Sequence, residues 1–143
     1  MNRKDHYLFL EELYQKANVN EKIFANSRLS VDHKTSTIEW TVSPDFFHGG
    51  DGLHGAFIFK LLDDAAYFSA ASVEKEFFLL TSGFHLHFYR PVASGELKVT
   101  GTLIQMGKHH YEAKAELRNE KNKLIAEGQG TFLRSQKKWS DHV

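Results

Sequence analysis

Residues 55–72 are apolar on nearly all sides, and within them only Lys60, Asp63 and Asp64 are charged. A helix that is hydrophobic all round is a buried one, and three charges at its middle argue against a membrane span. Ahead of it, Leu10, Leu13, Tyr14 and Ala17 recur at i, i+3, i+4 and i+7, which predicts an amphipathic surface helix over residues 7–17. From residue 23 to 42 the period changes to two. Ile38, Trp40 and Val42 alternate with Thr37, Glu39 and Thr41, Asp32-His33-Lys34 supplies a hairpin turn, and Ser43-Pro44-Asp45 ends it. A loop rich in Gly and His follows over residues 46–52. After the long helix come four strand candidates, at residues 77–90, 96–106, 111–118 and 124–133, joined by turns short enough for antiparallel neighbours. In the third, Tyr111, Ala113, Ala115 and Leu117 alternate with Glu112, Lys114, Glu116 and Arg118, so one face of the sheet is wet. Two strands, one buried helix and four strands make an α+β chain in which a curled antiparallel sheet wraps a single helix. The whole of 1–143 reads as one domain, with residues 1–22 an N-terminal helical segment and 135–143, polar apart from Trp139, a flexible tail.

Composition narrows the partners. A chain of 143 residues suits one core. Lys plus Arg and Asp plus Glu number 18 each, so no overall field attracts a polyanion, and nucleic acid is not an expected partner. Cysteine is absent, which removes disulfides, thiol nucleophiles and thiolate metal sites. The first residues lead into no uninterrupted apolar run, so the expectation is a soluble, cytoplasmic protein. Many of the 12 Phe fall between residues 46 and 88, where they fill a core or line an apolar ligand tunnel.

The chemistry centres on Asp63. A carboxylate among Phe57, Ile58, Phe59, Leu61, Leu62, Ala65 and Ala66 needs a partner or a catalytic task, because desolvating it costs free energy. Nine residues earlier stands His54-Gly55-Ala56 at the helix start, where the first N–H groups lack intrahelical partners and can polarise a carbonyl. Gly55 leaves that amide open to close approach, or merely permits the turn. Eight residues of helix separate Gly55 from Asp63 by about 12 Å, so one chain does not easily bring both to one carbonyl. Asp64, a step round the helix, is expected in solvent or in an ion pair. The other His-Gly-Gly, at residues 48–50, has Phe57 nine residues on, which cannot act as an acid. His85 and His87 share a strand face, but with no third ligand at a recognisable spacing no metal site is expected.

On these residues the chain resembles the hotdog-fold thioesterases of the phenylacetate-degradation type, small acyl-CoA hydrolases. In that family a His-Gly-Gly turn opens the central helix and an Asp follows nine residues after the His, as Asp63 follows His54. A Thr or Ser then enters a strand ending in an aromatic, a basic residue and Pro, as from Thr81 to Phe88-Tyr89-Arg90-Pro91. Gly101, Gly107-Lys108 and Ala126-Glu127-Gly128 fit its later strands, and the likeness spans roughly residues 23–134.

The resemblance implies a hotdog fold and cofactor-independent hydrolysis of an acyl-CoA, or acyl carrier protein, thioester. It also implies a homodimer with active sites at the interface, or a homotetramer built from it. Asp63 would be general base or nucleophile, with the Gly55 amide facing it from the other subunit and Thr81 holding the attacking water. Strand parity sets Thr81 with Gly83, His85 and His87, away from Phe84, Leu86 and Phe88, which point to the core; Ser82 replaces Thr81 if a bulge shifts the register. His54 orients the turn beside Ala56, which replaces the second Gly, and His54, Ala56 and Ser82 are expected to help bind the substrate. His48 stands where the family usually carries an Asn that supports this turn and the substrate carbonyl, and Asp51 replaces a common Gly. Two other functions share the fold: a non-catalytic acyl-CoA binding or sensing module, which His48 and Asp51 favour, and an acyl-thioester hydratase or dehydratase. The chain lacks the Pro-rich loop and His-to-Glu arrangement of the acyl-carrier-protein dehydratases.

Overall fold

The computed structural model of the protein describes residues 2–142. The N-terminal segment is two helices, α1 (Arg3–Lys16) and α2 (Asn18–Lys22), broken at Ala17, where ψ of 135° leaves the helical region. The Asn2 side chain caps α1 by accepting from the Asp5 N–H. Its buried face is His6, Tyr7, Leu10 and Tyr14. The hairpin of β1 (Arg28–Asp32) and β2 (Thr35–Thr41) turns at His33-Lys34, with Lys34 in the left-handed region at φ +60°. Residues 23–27, expected within the first strand, are irregular and carry Phe24 into the core.

The long helix, α3 (Gly55–Ala71), is followed by β3 (Phe77–Phe88), β4 (Glu96–Met106), β5 (His110–Arg118) and β6 (Leu124–Lys138). All six strands form one antiparallel sheet in the order β1-β2-β4-β5-β6-β3, and α3 packs on its inner face against every strand. This is the hotdog arrangement of an α+β fold. Leu61, Leu62, Ala65 and Ala66 are wholly buried against Ile38, Leu97, Val99, Ala113 and Leu117. Alanines on the helix and Gly101 on β4 let the backbones approach closely. A Cβ built at Gly101 would stand 2.0 Å from the Ala65 carbonyl oxygen, which also accepts a 2.5 Å bond from the hydroxyl of Ser36, the residue paired with Gly101 across the sheet.

The C-terminal residues depart from the expected flexible tail. β6 runs on to Lys138, and a 3-10 turn, Trp139–His142, tucks Trp139 to 4% exposure against Phe78, Phe9 and His6. Val143, the end of that expected tail, and Met1 lie outside the described residues. The anchor is Glu74, only 3% exposed. Its carboxylate accepts from Tyr111 Oη at 2.6 Å, Arg134 Nε at 2.5 Å and the N–H groups of Glu76 and Phe77, while its carbonyl accepts from Trp139 Nε1. Burial pushes this carboxyl up, but the bonds to the charged form outweigh it and hold the group below the ordinary carboxylate range. Stability from Glu74 is therefore present above its unfolded-state pKa and is lost as pH falls through the lowered folded value. Glu74→Gln is expected to cost about 2 to 4 kcal/mol in urea unfolding at neutral pH, because Arg134 and Tyr111 lose a charged acceptor; a change within error there means the cluster is dispensable.

Candidate active site

His54 has extended backbone (φ −65°, ψ 136°) and caps α3: its Nδ1 accepts the Ala56 N–H at 3.0 Å, and its own N–H donates to the Phe46 carbonyl. The Ala56 amide, expected to help bind substrate, is thus committed to the cap. The Gly55 N–H has no acceptor among the described residues. Ahead of it, His48 Nδ1 accepts the Gly50 N–H at 2.9 Å, and the ring stands 6.4 Å from that of His54. His48 thus shapes the loop and still borders the Gly55 cleft, of about 370 Å³, with Phe88, Tyr89 and Arg90. Asp51, where the family commonly has Gly, lies at φ +61°, a conformation that Asp tolerates better than most side chains.

Along α3, every fourth residue meets β3, which runs the opposite way. A Cβ at Gly55 would stand 3.2 Å from the Phe88 ring, Phe59 meets Phe84 edge to face at 5.4 Å, Asp63 meets Thr81, and Tyr67 meets Leu79. Thr81 Oγ1 donates to Asp63 Oδ1 at 2.9 Å. Tyr67 Oη both donates to the Leu79 carbonyl and accepts its N–H, so the phenol clamps the strand backbone beside the carboxylate. Phe88, expected in the core, is 54% exposed and covers the helix start instead.

That Thr81 reaches the helix corrects the parity expected for this strand. Thr81 pairs with Phe132 and Gly83 with Thr131, so Ser82 is an extra, bulged residue that reverses the alternation. Thr81 therefore shares the inner face with Phe84 and Leu86 and lies opposite to His85 and His87. Ser82, the alternative under a bulge, is exposed and makes no bond to Asp63.

Asp63 is half-buried, and desolvation pushes its carboxyl up to about 6; Thr81 pulls against this and nearby Asp64 adds to it. A carboxyl poised near neutrality fits a general base. Asp64 is ion-paired, as one expectation had it: Lys60 Nζ donates to Asp64 Oδ2 at 2.6 Å and to Asn20 Oδ1 at 2.7 Å. Asn20, which sequence reasoning missed, lies 40 residues away on α2, and no local pattern marks it. Asp63 and Thr81 line a cleft of about 550 Å³. Gly55 lines the other, and the Phe59–Phe84 pair stands between their contact points on α3. Within one chain the two groups do not meet.

His85 and His87 stand with Nε2 atoms 3.1 Å apart on the outer face, and the described residues hold no group of three or more His, Cys, Asp or Glu placed to bind a metal ion. No described helix is long and apolar enough to cross a membrane.

Comparison with solved structures gives PaaI of E. coli, from the phenylacetic acid degradation operon, at 21% identity, TM-score 0.83, covering 95% of this chain and 97% of that one. Zebra fish thioesterase superfamily member 2 is similar at 15% identity and TM-score 0.80, covering 94% and 99% of the two chains. Thioesterase HI1161 of Haemophilus influenzae matches at 19% identity and TM-score 0.75, covering 87% and 86%. At these identities the likeness is one of fold. No curated protein sequence matches the chain. The sequence profile of the thioesterase superfamily does match, over residues 50–126, which hold the His54 turn, α3, β3, Asp63 and Thr81. With more than half of its length so matched, the chain belongs to the thioesterase superfamily.

Proposed function

We propose that the protein hydrolyses an acyl-CoA thioester to free CoA and a carboxylic acid, without a cofactor, as a homodimer. The observation that carries this reading is the half-buried Asp63 carboxyl, hydrogen-bonded by Thr81 at the end of a cleft. Ionised Asp63 takes a proton from water as that water attacks the thioester carbonyl, or attacks the carbonyl itself to give an anhydride that water opens. Either way the C–S bond breaks, the CoA sulfur leaves with its electron pair and takes a proton, and the acid is released. The developing oxyanion needs donors, and the unpaired Gly55 N–H at the positive end of α3 is the one at hand. Because Gly55 and Asp63 of one chain lie in separate clefts, the reaction pairs the Gly55 amide of one subunit with Asp63 of the other. His48 supports the loop beside that amide.

The test is a panel of acyl-CoAs with a thiol-reactive chromogen, run beside light scattering in solution. Release of CoA by a dimer or larger assembly supports the reading; no thiol release from any member of the panel, or activity in a monomer, overturns it.

A pH profile goes further. Since Asp63 must be ionised, kcat/KM should rise with pH through about 6 and level off above. Thr81→Ala removes a bond that favours the carboxylate, so this limb should move to higher pH while kcat falls about tenfold or more. A limb that stays in place shows that Thr81 does not tune the acid.

A further inference from the structure

Building on the acyl-CoA hydrolase reading, we propose that α1 and α2 form the far wall of the acyl site, which takes a bulky uncharged acyl group and rejects one ending in a carboxylate. The cleft that starts at Asp63 and Thr81 continues between α3 and β3 on one side and α1–α2 on the other. Leu13, Tyr14 and Val19 face Tyr67, Phe68 and Phe78 across it. At about 550 Å³ it has room for an aromatic ring or a medium-length chain beyond the thioester carbon.

The wall is fixed in place. Asn20 Nδ2 donates to the Tyr14 carbonyl at 2.8 Å, Asn20 Oδ1 accepts from Lys60, and His6 Nε2 meets the Ala71 carbonyl at 2.8 Å. His6, Tyr14 and Asn20 lie before residue 50, outside the stretch matched by the family profile, so the wall can differ between members that share the catalytic turn.

Charge decides what fits. Asp63 and Asp64 both line the cleft, while Lys60, the cation beside them, is engaged by Asp64 and Asn20 and lies over the Tyr14 and Phe24 rings. Lys16, also bordering the cleft, is exposed and paired with Glu12, and His142 packs against Phe78. A distal carboxylate entering here meets net negative charge in a partly desolvated space.

The test measures kcat/KM of the full chain for acetyl-, hexanoyl-, benzoyl- and glutaryl-CoA by thiol release. Hexanoyl- and benzoyl-CoA should exceed glutaryl-CoA by roughly tenfold or more. Leu13→Trp, which fills the cleft, should lower the hexanoyl-to-acetyl ratio by about tenfold, and Asp64→Asn should raise the glutaryl-to-hexanoyl ratio by a similar factor. Val19→Trp, at an exposed position, makes the same size test if Leu13→Trp fails to fold. Ratios unmoved by the filling variant, or glutaryl-CoA cleaved as fast as hexanoyl-CoA by the unaltered protein, overturn the proposal and leave the hydrolase reading standing. If the unaltered protein cleaves none of the four, that reading falls and this proposal with it.

Discussion

Asp63→Asn should lower kcat for acyl-CoA hydrolysis by about a thousandfold or more while making the protein harder to unfold. Asn keeps the shape and still accepts a bond from Thr81, but it neither takes a proton nor attacks a carbonyl. The stability gain follows from the direction of the Asp63 shift. Its carboxyl is raised to about 6 in the fold, so ionisation is penalised there relative to the unfolded chain. The protein is thus progressively destabilised as pH rises from about 4 through 6, and the neutral amide escapes this by about 1 to 3 kcal/mol at pH 7.5. The melting temperature of the variant should exceed that of the parent above about pH 6 and converge with it near pH 4. A variant that hydrolyses normally removes Asp63 from the chemistry; one that melts lower at every pH shows a structural carboxylate instead.

Gly101→Ala is expected to cost about 3 kcal/mol or more, or to abolish folding, although it adds a single methyl group. That methyl would stand 2.0 Å from the Ala65 oxygen and 2.3 Å from its carbon, both backbone atoms in the middle of α3. Neither can yield without moving the helix, and a shifted helix carries Asp63, two residues before Ala65, away from Thr81. Gly83→Ala, where a Cβ meets nothing within 4 Å, is the matched control and should change stability by no more than about 0.5 kcal/mol. Equal urea midpoints for the two variants would show that the helix floats on the sheet.

Legibility in the sequence followed the range of the forces involved. The apolar run gave α3 nearly to the residue, and strict alternation gave β5, because burial on one or both faces imprints a local period. The turn at His54-Gly55 and the Asp63 spacing were equally local, whereas the hydroxyl at Thr81 came only from the resemblance to the family. Four features were not local. The bulge at Ser82 arises from how β3 and β6 register against each other, and it reversed the face assigned to Thr81. The packing of Trp139 depends on His6, Phe9 and Phe78, all distant in the chain, so a polar tail concealed a strand and an anchor. Glu74 gave no signal because its partners Tyr111 and Arg134 lie 37 and 60 residues away. The break at Ala17 has no Gly or Pro to mark it.

The adjoining Thr81 and Ser82 give the bulge a further meaning. Were the extra residue to shift by one position, Ser82 would swing inward as Thr81 swung out. One alcohol would replace the other opposite the carboxylate. A strand misaligned by a single step would still present a hydroxyl, a redundancy written into two consecutive letters of the sequence.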